Sequence, residues 1–200
     1  ALPYFCRRAK EAGAFVSVNP GIRQLTGRAR LILDAMADID LLSVNRVEAQ
    51  SLSPAFAAEA PPPGPVPRDA PELMREGLVF GGFEICLTDF AAALRARGPR
   101  NLVITDGAQG AYLSTPEGLF FRPPAPAAVK GTAGAGDAFT STLVAALAEG
   151  CDADAALAQA SINSASVIGE ADTTTGLLRR DEIERRAAAL VEESPARKLA

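Results

Sequence analysis

Apolar positions change spacing repeatedly along this chain, and the changes mark out alternating helices and strands. Residues 2–12 set Arg7, Arg8, Lys10 and Glu11 among apolar positions and stop at Gly13, which predicts a surface helix. Residues 14–18 read as a buried strand. Helical spacing returns over 25–37 through Leu31, Leu33 and Met36, and 39–44 is a second run of strand length. Residues 88–97 predict a helix closed by Gly98-Pro99, and 101–105 a clear strand. A hairpin follows, with 111–114 and 119–122 on either side of the turn Thr115-Pro116-Glu117-Gly118. Phe139, Leu143 and Leu147 recur one helical turn apart. Residues 154–168 form a small-residue helix able to pack closely, and 181–193, with an acidic start, a helical surface cover. This alternation predicts an α/β fold with a mostly parallel sheet flanked by helices.

One stretch breaks the rhythm. Residues 53–71 contain Pro54, Pro61, Pro62, Pro63, Pro65, Pro67 and Pro71. Proline removes an amide donor and fixes φ, so neither a central strand nor a long helix fits there, and a surface excursion is expected. The 200-residue chain suits one domain with a sizeable core, being 48% hydrophobic and 22% charged. A net charge of −4 with scattered basic residues argues against nucleic acid as a partner. The three cysteines Cys6, Cys86 and Cys151 lack ligand-like spacing and suggest reduced thiols. No apolar run is long enough to cross a bilayer and no signal-peptide pattern opens the chain, so the expectation is a cytoplasmic protein without membrane contact.

Histidine is absent, which removes Ser-His-Asp and Cys-His catalysis and the usual transition-metal sites. Carboxylates and backbone groups are left to do any chemistry. They meet at Gly131-Thr132-Ala133-Gly134-Ala135-Gly136-Asp137-Ala138-Phe139, a glycine-rich loop feeding the Phe139 helix. Unpaired amides at a helix start seat an anion, yet the residue delivered there is Asp137. The Gly131-to-Gly136 spacing imitates a Walker A loop with Asp137 in place of the phosphate-holding lysine, and the dinucleotide spacing G-x-G-x-x-G is not met. A carboxylate beside incoming phosphate repels it unless it accepts the proton of an attacking hydroxyl. The plain alternative is a glycine-rich turn with Asp137 as an N-cap.

Residues Gly134-Ala135-Gly136-Asp137-Ala138-Phe139 resemble the second signature of the ribokinase/pfkB family of carbohydrate and nucleoside kinases, Asp-Thr-x-Gly-Ala-Gly-Asp. The resemblance implies a ribokinase-like fold, Asp137 as catalytic base, and the amides of Gly134, Ala135, Gly136 and Asp137 as an anion hole. Asn45-Arg46-Val47-Glu48 is similar to the family's Asn-x-x-Glu motif, which implies Glu48 at the water shell of Mg²⁺ and Asn45 at the nucleotide phosphates or that shell. Read without the family, Asn45 is a turn residue and Glu48 a helix-start charge. Thr105-x-Gly107-x-x-Gly110 is similar to the family's nucleotide-binding turn, with the Thr105 hydroxyl and the Gly107 and Gly110 amides near the ATP phosphates. Ser161 and Asn163 lie on the helix that walls the adenine pocket in relatives, whose asparagine aligns with Ser161. The signature's leading Asp is Gly131 here, which puts activation by a monovalent cation in question.

The likeness runs from about residue 14 to 190 but covers only the later part of the family. The N-terminal lid, its Gly-Gly signature and most acceptor contacts are missing from these residues, so a chain incomplete at its N-terminus is expected. The resemblance implies an ATP- and Mg²⁺-dependent phosphotransferase acting on the hydroxymethyl group of a sugar or sugar-like small molecule. The alternatives are a nucleoside kinase of the adenosine type and a catalytically incomplete nucleotide-binding module. Because some relatives pair through their lids, a homodimer stays open.

Overall fold

The computed structural model describes residues 1–57 and 66–200. It resolves into two compact units, Ala1–Leu119 with Leu199–Ala200, and Phe120–Lys198.

In the first unit the elements are α1 (Leu2–Glu11), β1 (Ser17–Val18), α2 (Ile22–Leu33), β2 (Leu41–Asn45), α3 (Arg46–Leu52), α4 (Pro54–Ala57), α5 (Glu72–Glu76), β3 (Leu78–Phe80), β4 (Phe83–Ile85), α6 (Leu87–Ala96), β5 (Asn101–Thr105) and β6 (Ala111–Thr115). Their sheet has the order β1-β2-β5-β6. β1 and β5 both run parallel to β2, while β6 returns antiparallel along β5. This is the expected α/β arrangement, mostly parallel with one antiparallel strand. Leu41, Leu42 and Val44 on β2 and Leu102, Val103 and Ile104 on β5 are all buried, as strands covered on both faces must be. Around them α3 packs on β2 and β5, and α6 on β5. Phe56 of α4 meets Phe90 of α6 edge to face at 5.5 Å, with Arg97 stacked over the Phe56 ring.

Strand β1 is shorter than the apolar run at 14–18. The Asp40 carboxylate accepts the Val16 amide at 2.8 Å, while the Val16 carbonyl accepts the Asp40 and Leu41 amides at 2.8 and 3.2 Å, so at Val16 a side chain takes the amide that a longer strand would have paired with backbone. The predicted helix at 25–37 begins earlier, bends at Arg28 (φ −145°), and gives way after Leu33 to a separate 3-10 turn, Met36–Asp38. The hairpin β3–β4 was not anticipated, although Gly81-Gly82 between Leu78-Val79-Phe80 and Phe83-Glu84-Ile85 is a strong two-residue turn signal. Both glycines have positive φ, 58° and 84°. Of the proline-rich stretch at 53–71, residues 58–65 lie outside the described residues. Its first part is the short helix α4, which buries Phe56.

The second unit holds most of β7 (Gly118–Arg122), then α7 (Ala135–Ala148), α8 (Ala153–Ile168), α9 (Arg180–Glu193) and β8 (Arg197–Lys198), the last paired antiparallel with β7. α7 and α8 pack along each other, and α9 lies on α8. The α8 face is made of small side chains, with Ala156, Ala158 and Ala160 fully buried, so the helices approach closely. Asp152 caps α8 by accepting the Ala155 amide at 2.8 Å. The buried Arg122 pairs with Asp154 and donates to the Ser194 carbonyl at 2.8 Å, tying the start of α8 and the end of α9 to β7. α9 buries only Ile183 and Ala187, as a surface cover does. No helix among the described residues is long and apolar enough to cross a membrane.

Candidate active site

In the first unit, the candidate residues sit where the parallel strands end. β2 finishes at Asn45 and β5 at Thr105, and the two are register partners. The carboxyl edge of a parallel sheet is where α/β folds take ligands. Asn45 is exposed and opens α3 with a reciprocal capping box: its Oδ1 accepts the Glu48 amide at 2.9 Å, and Glu48 Oε2 accepts the Asn45 amide at 2.8 Å. The structural role assigned to these two residues without the family is therefore present. Glu48 is buried, and among the described residues its second oxygen, Oε1, makes no hydrogen bond. Mg²⁺ keeps most of its water and takes one or two protein oxygens. Glu48 Oε1 suits that demand, although no cluster of three or more metal-ligating side chains is found among the described residues.

Thr105 leads into a closed turn in which the Asp106 amide donates to the Gly110 carbonyl at 2.8 Å. Gly110 has φ 115° and ψ −152°, a conformation open only to glycine. Gly107 (φ 53°) has nothing within 4 Å of where a Cβ would stand, so a ligand can reach bare backbone. Arg46, inside the Asn-x-x-Glu motif, was not singled out from sequence. Its guanidinium meets Glu72 at 2.8 Å, Glu76 at 2.5 Å and Asp106 at 3.3 Å, joining α3, α5 and the Thr105 turn. The Glu72 hydrogen bond, above all, pushes Arg46 further up. Burial raises Asp106 above the usual carboxylate value, against the pull of Arg46.

In the second unit the glycine loop does deliver a helix start. Gly134 is the N-cap of α7 with φ 79°, and no side chain caps the helix. A Cβ on Gly134 would also stand 2.8 Å from Thr173 Cβ, so glycine is required twice over. Asp137 is the third residue of the helix and is not its cap. Its side chain is exposed and, among the described residues, engages no hydrogen bond or ion pair. The Ala138 amide reaches Gly134 O at 2.9 Å and the Ala135 amide Thr132 O at 3.4 Å, whereas those of Gly136 and Asp137 find no acceptor among the described residues. A free carboxylate thus stands beside free donors at the positive end of a 14-residue helix.

Ser161 and Asn163 are both buried on α8. Asn163 has both ends of its amide engaged: Nδ2 donates to Thr142 Oγ1 at 2.9 Å, and Oδ1 accepts the Leu178 amide at 3.0 Å. The loop after α8 was missed by the sequence reading, although Asp-Thr-Thr-Thr is a recognisable side-chain turn. There Asp172 accepts the Thr175 hydroxyl at 2.6 Å and the Thr175 and Thr174 amides at 2.7 and 2.8 Å. The Thr175 hydroxyl, first among these, holds the Asp172 carboxyl well below the usual range. Thr173, in the middle of this turn, is the residue against Gly134.

Residues 86–180 match the pfkB family carbohydrate kinases. No curated protein matches the chain. Among solved structures it is similar to aminoimidazole riboside kinase from Salmonella enterica, solved with aminoimidazole riboside and an ATP analogue, at 25% identity and a TM-score of 0.63, over 92% of this chain and 56% of that one. A nucleoside kinase from Methanocaldococcus jannaschii, an archaeal member of the ribokinase family, matches at 20% identity and a TM-score of 0.66, covering 94% of this chain and 53% of that one. An E. coli protein assigned as a ribokinase II, solved with ATP and Mg²⁺, matches at 19% identity and a TM-score of 0.66, over 92% of this chain and 52% of that one. The fold is therefore ribokinase-like, and the chain spans about half the length of the structures it matches.

Proposed function

Because residues 86–180 match the pfkB family carbohydrate kinases, we propose that the chain belongs to that family and carries the nucleotide-binding and catalytic-base portion of an ATP-dependent phosphotransferase. The acceptor is the hydroxymethyl group of a sugar or sugar-like small molecule. The observation that carries this reading is the unpartnered Asp137 carboxylate among unpartnered amides at the start of α7.

Asp137 takes the proton of the acceptor hydroxyl as its oxygen forms the new bond to phosphorus, a role that contributes typically 10²- to 10⁴-fold. The amides of Gly134, Ala135, Gly136 and Asp137 form the anion hole, which steadies charge on the transferred group by dipoles already in place. Thr105, Gly107, Gly110 and Asn45 are the proposed phosphate contacts, and Ser161 lies on the adenine side. Glu48 and Asn45 would hold Mg²⁺ through its water shell, and the ion when bound neutralises phosphate charge. Asn163, with its amide engaged on both sides, serves this reading by shaping α8 and not by touching the base. We place the activity in the cytoplasm, where ATP is the phosphoryl donor at hand.

A riboside acceptor is the second reading, supported by the 25% identity to a kinase solved with aminoimidazole riboside. The test is ADP release from MgATP in the presence of ribose, aminoimidazole riboside or adenosine, run beside equilibrium MgATP binding. Acceptor-dependent ADP release supports the kinase, and the preferred acceptor decides between the two classes. Tight MgATP binding with no ADP release against any acceptor would make the chain a nucleotide-binding module.

A further inference from the structure

We propose that Ser164 is a positioning residue for phosphoryl transfer, acting through the first turn of α7; the assignment rests on the kinase reading. Ser164 lies on α8, and its hydroxyl donates across to the carbonyl of Ala135 at 3.1 Å. A serine inside a helix commonly bonds back to a carbonyl of its own preceding turn. Here the hydroxyl leaves its own helix for the first residue of another.

The acceptor it chooses explains the consequence. The Ala135 carbonyl and the Gly136 amide belong to one planar peptide unit. Fixing that oxygen fixes the direction of the Gly136 N–H, one of the two donors that find no acceptor among the described residues. A hydrogen bond to the carbonyl also polarises the N–H on the other side of the same unit, strengthening it as a donor. Ser164 thereby aims and sharpens an anion-hole amide without touching the ligand.

The hydroxyl is itself held in place. The neighbouring Asn163 bonds to Thr142 of α7 and accepts the Leu178 amide, and Thr142 donates to the Ala138 carbonyl at 2.8 Å. This chain of bonds locks α8 to α7 beside the Ser164 contact. On the other side of the loop, Thr173 stands against Gly134. The Ala135–Gly136 peptide is therefore braced and cannot rotate freely.

The test uses Ser164→Ala and Ser164→Thr in the full chain, with MgATP and aminoimidazole riboside, and Asp137→Asn beside them. In Ser164→Ala, kcat is expected to fall about tenfold, the equivalent of one ordinary hydrogen bond. KM for MgATP stays within about twofold, and the thermal midpoint within about 4 °C. Ser164→Thr keeps a hydroxyl and recovers most of the rate. Independently of turnover, the Gly136 amide proton resonance moves upfield in Ser164→Ala and returns in Ser164→Thr. Parent-level kcat in Ser164→Ala with Asp137→Asn inactive overturns this assignment and leaves the kinase reading standing. So does a Gly136 resonance that does not move, or a loss that the threonine fails to restore. A parent that transfers to no acceptor, or an Asp137→Asn variant as active as the parent, removes the kinase reading and this assignment with it.

Discussion

Asn45 and Glu48 at the end of β2 satisfy each other: each side chain accepts the other's amide, and the pair starts α3. Arg46 between them is held by three carboxylates. Folding alone accounts for nearly every polar atom there, with Glu48 Oε1 as the remainder. At the start of α7 the position is reversed. Two amides and one carboxylate face outward without protein partners among the described residues. Two glycines in that loop hold the backbone open, one of them in a conformation that costs other residues stability. An acidic residue in a first helical turn gains about 0.3–1 kcal/mol from the macrodipole. That accounts for an aspartate in the turn, not for the bare amides around it. Where structure explains a motif completely, the motif says least about chemistry; where structure leaves donors and a carboxylate unengaged, it says most.

The contrast breaks first at Asp137. Asp137→Asn keeps size and helix position but cannot take a proton. Transfer is expected to fall by about 10²- to 10⁴-fold, with MgATP affinity within a few fold and a stability loss no larger than that of the lost dipole interaction, about 0.3–1 kcal/mol. Steady-state ADP release beside calorimetric MgATP binding measures both, and near-parent turnover would return Asp137 to a merely structural role. Gly134→Ala comes next, because it strains the loop itself. A Cβ there faces both φ 79° and the Thr173 side chain at 2.8 Å. A stability loss of about 1–3 kcal/mol in urea unfolding is expected, with turnover reduced more than MgATP binding.

These two residues were legible in the sequence because the information is local. Glycine spacing followed by an apolar period defines a loop and a helix start without any tertiary knowledge, and β5 at 101–105 was found to the residue. Partners that depend on distant chain were not legible. Arg46 meets Glu72 and Glu76 only because α5 folds back over α3, and nothing around Arg46 announces it. Ser164 reads as one more small residue in an alanine-rich helix until α7 is laid beside it. Strand β8 has no sequence signal because two residues, Arg197 and Lys198, pair with β7 from the far end of the chain. The assignment of Asn163 shows the same limit: an asparagine in a helix can face a ligand or brace a neighbouring helix, and only its partners decide.

At Glu48 the comparison is sharpened by choosing a variant that separates structure from charge. Glutamine also completes a capping box, so Glu48→Gln keeps the α3 start and removes only the negative charge. Stability within about 0.5 kcal/mol of the parent is expected, together with a several-fold higher Mg²⁺ requirement for ADP release. Glu48→Ala loses the cap as well and adds about 1 kcal/mol of destabilisation. If Glu48→Gln shows parent-like Mg²⁺ dependence, the first unit's motif is structural throughout.

The smallest expected effect belongs to Asp106, which tests whether the Arg46 cluster is purely architectural. Burial raises the Asp106 carboxyl above its ordinary value of 3.8. A carboxyl raised in the folded state favours folding while protonated, and that advantage is lost as the pH climbs through the folded value. Relative to Asp106→Asn, which does not titrate, the parent should therefore lose stability as pH rises from 3.8, the difference levelling once the group has ionised. Thermal midpoints of both proteins across that range give the sign directly. A gap that moves the other way would mean that Arg46 outweighs burial, and that the ion cluster holds the Thr105 turn by attraction where the present geometry has it held at an electrostatic cost.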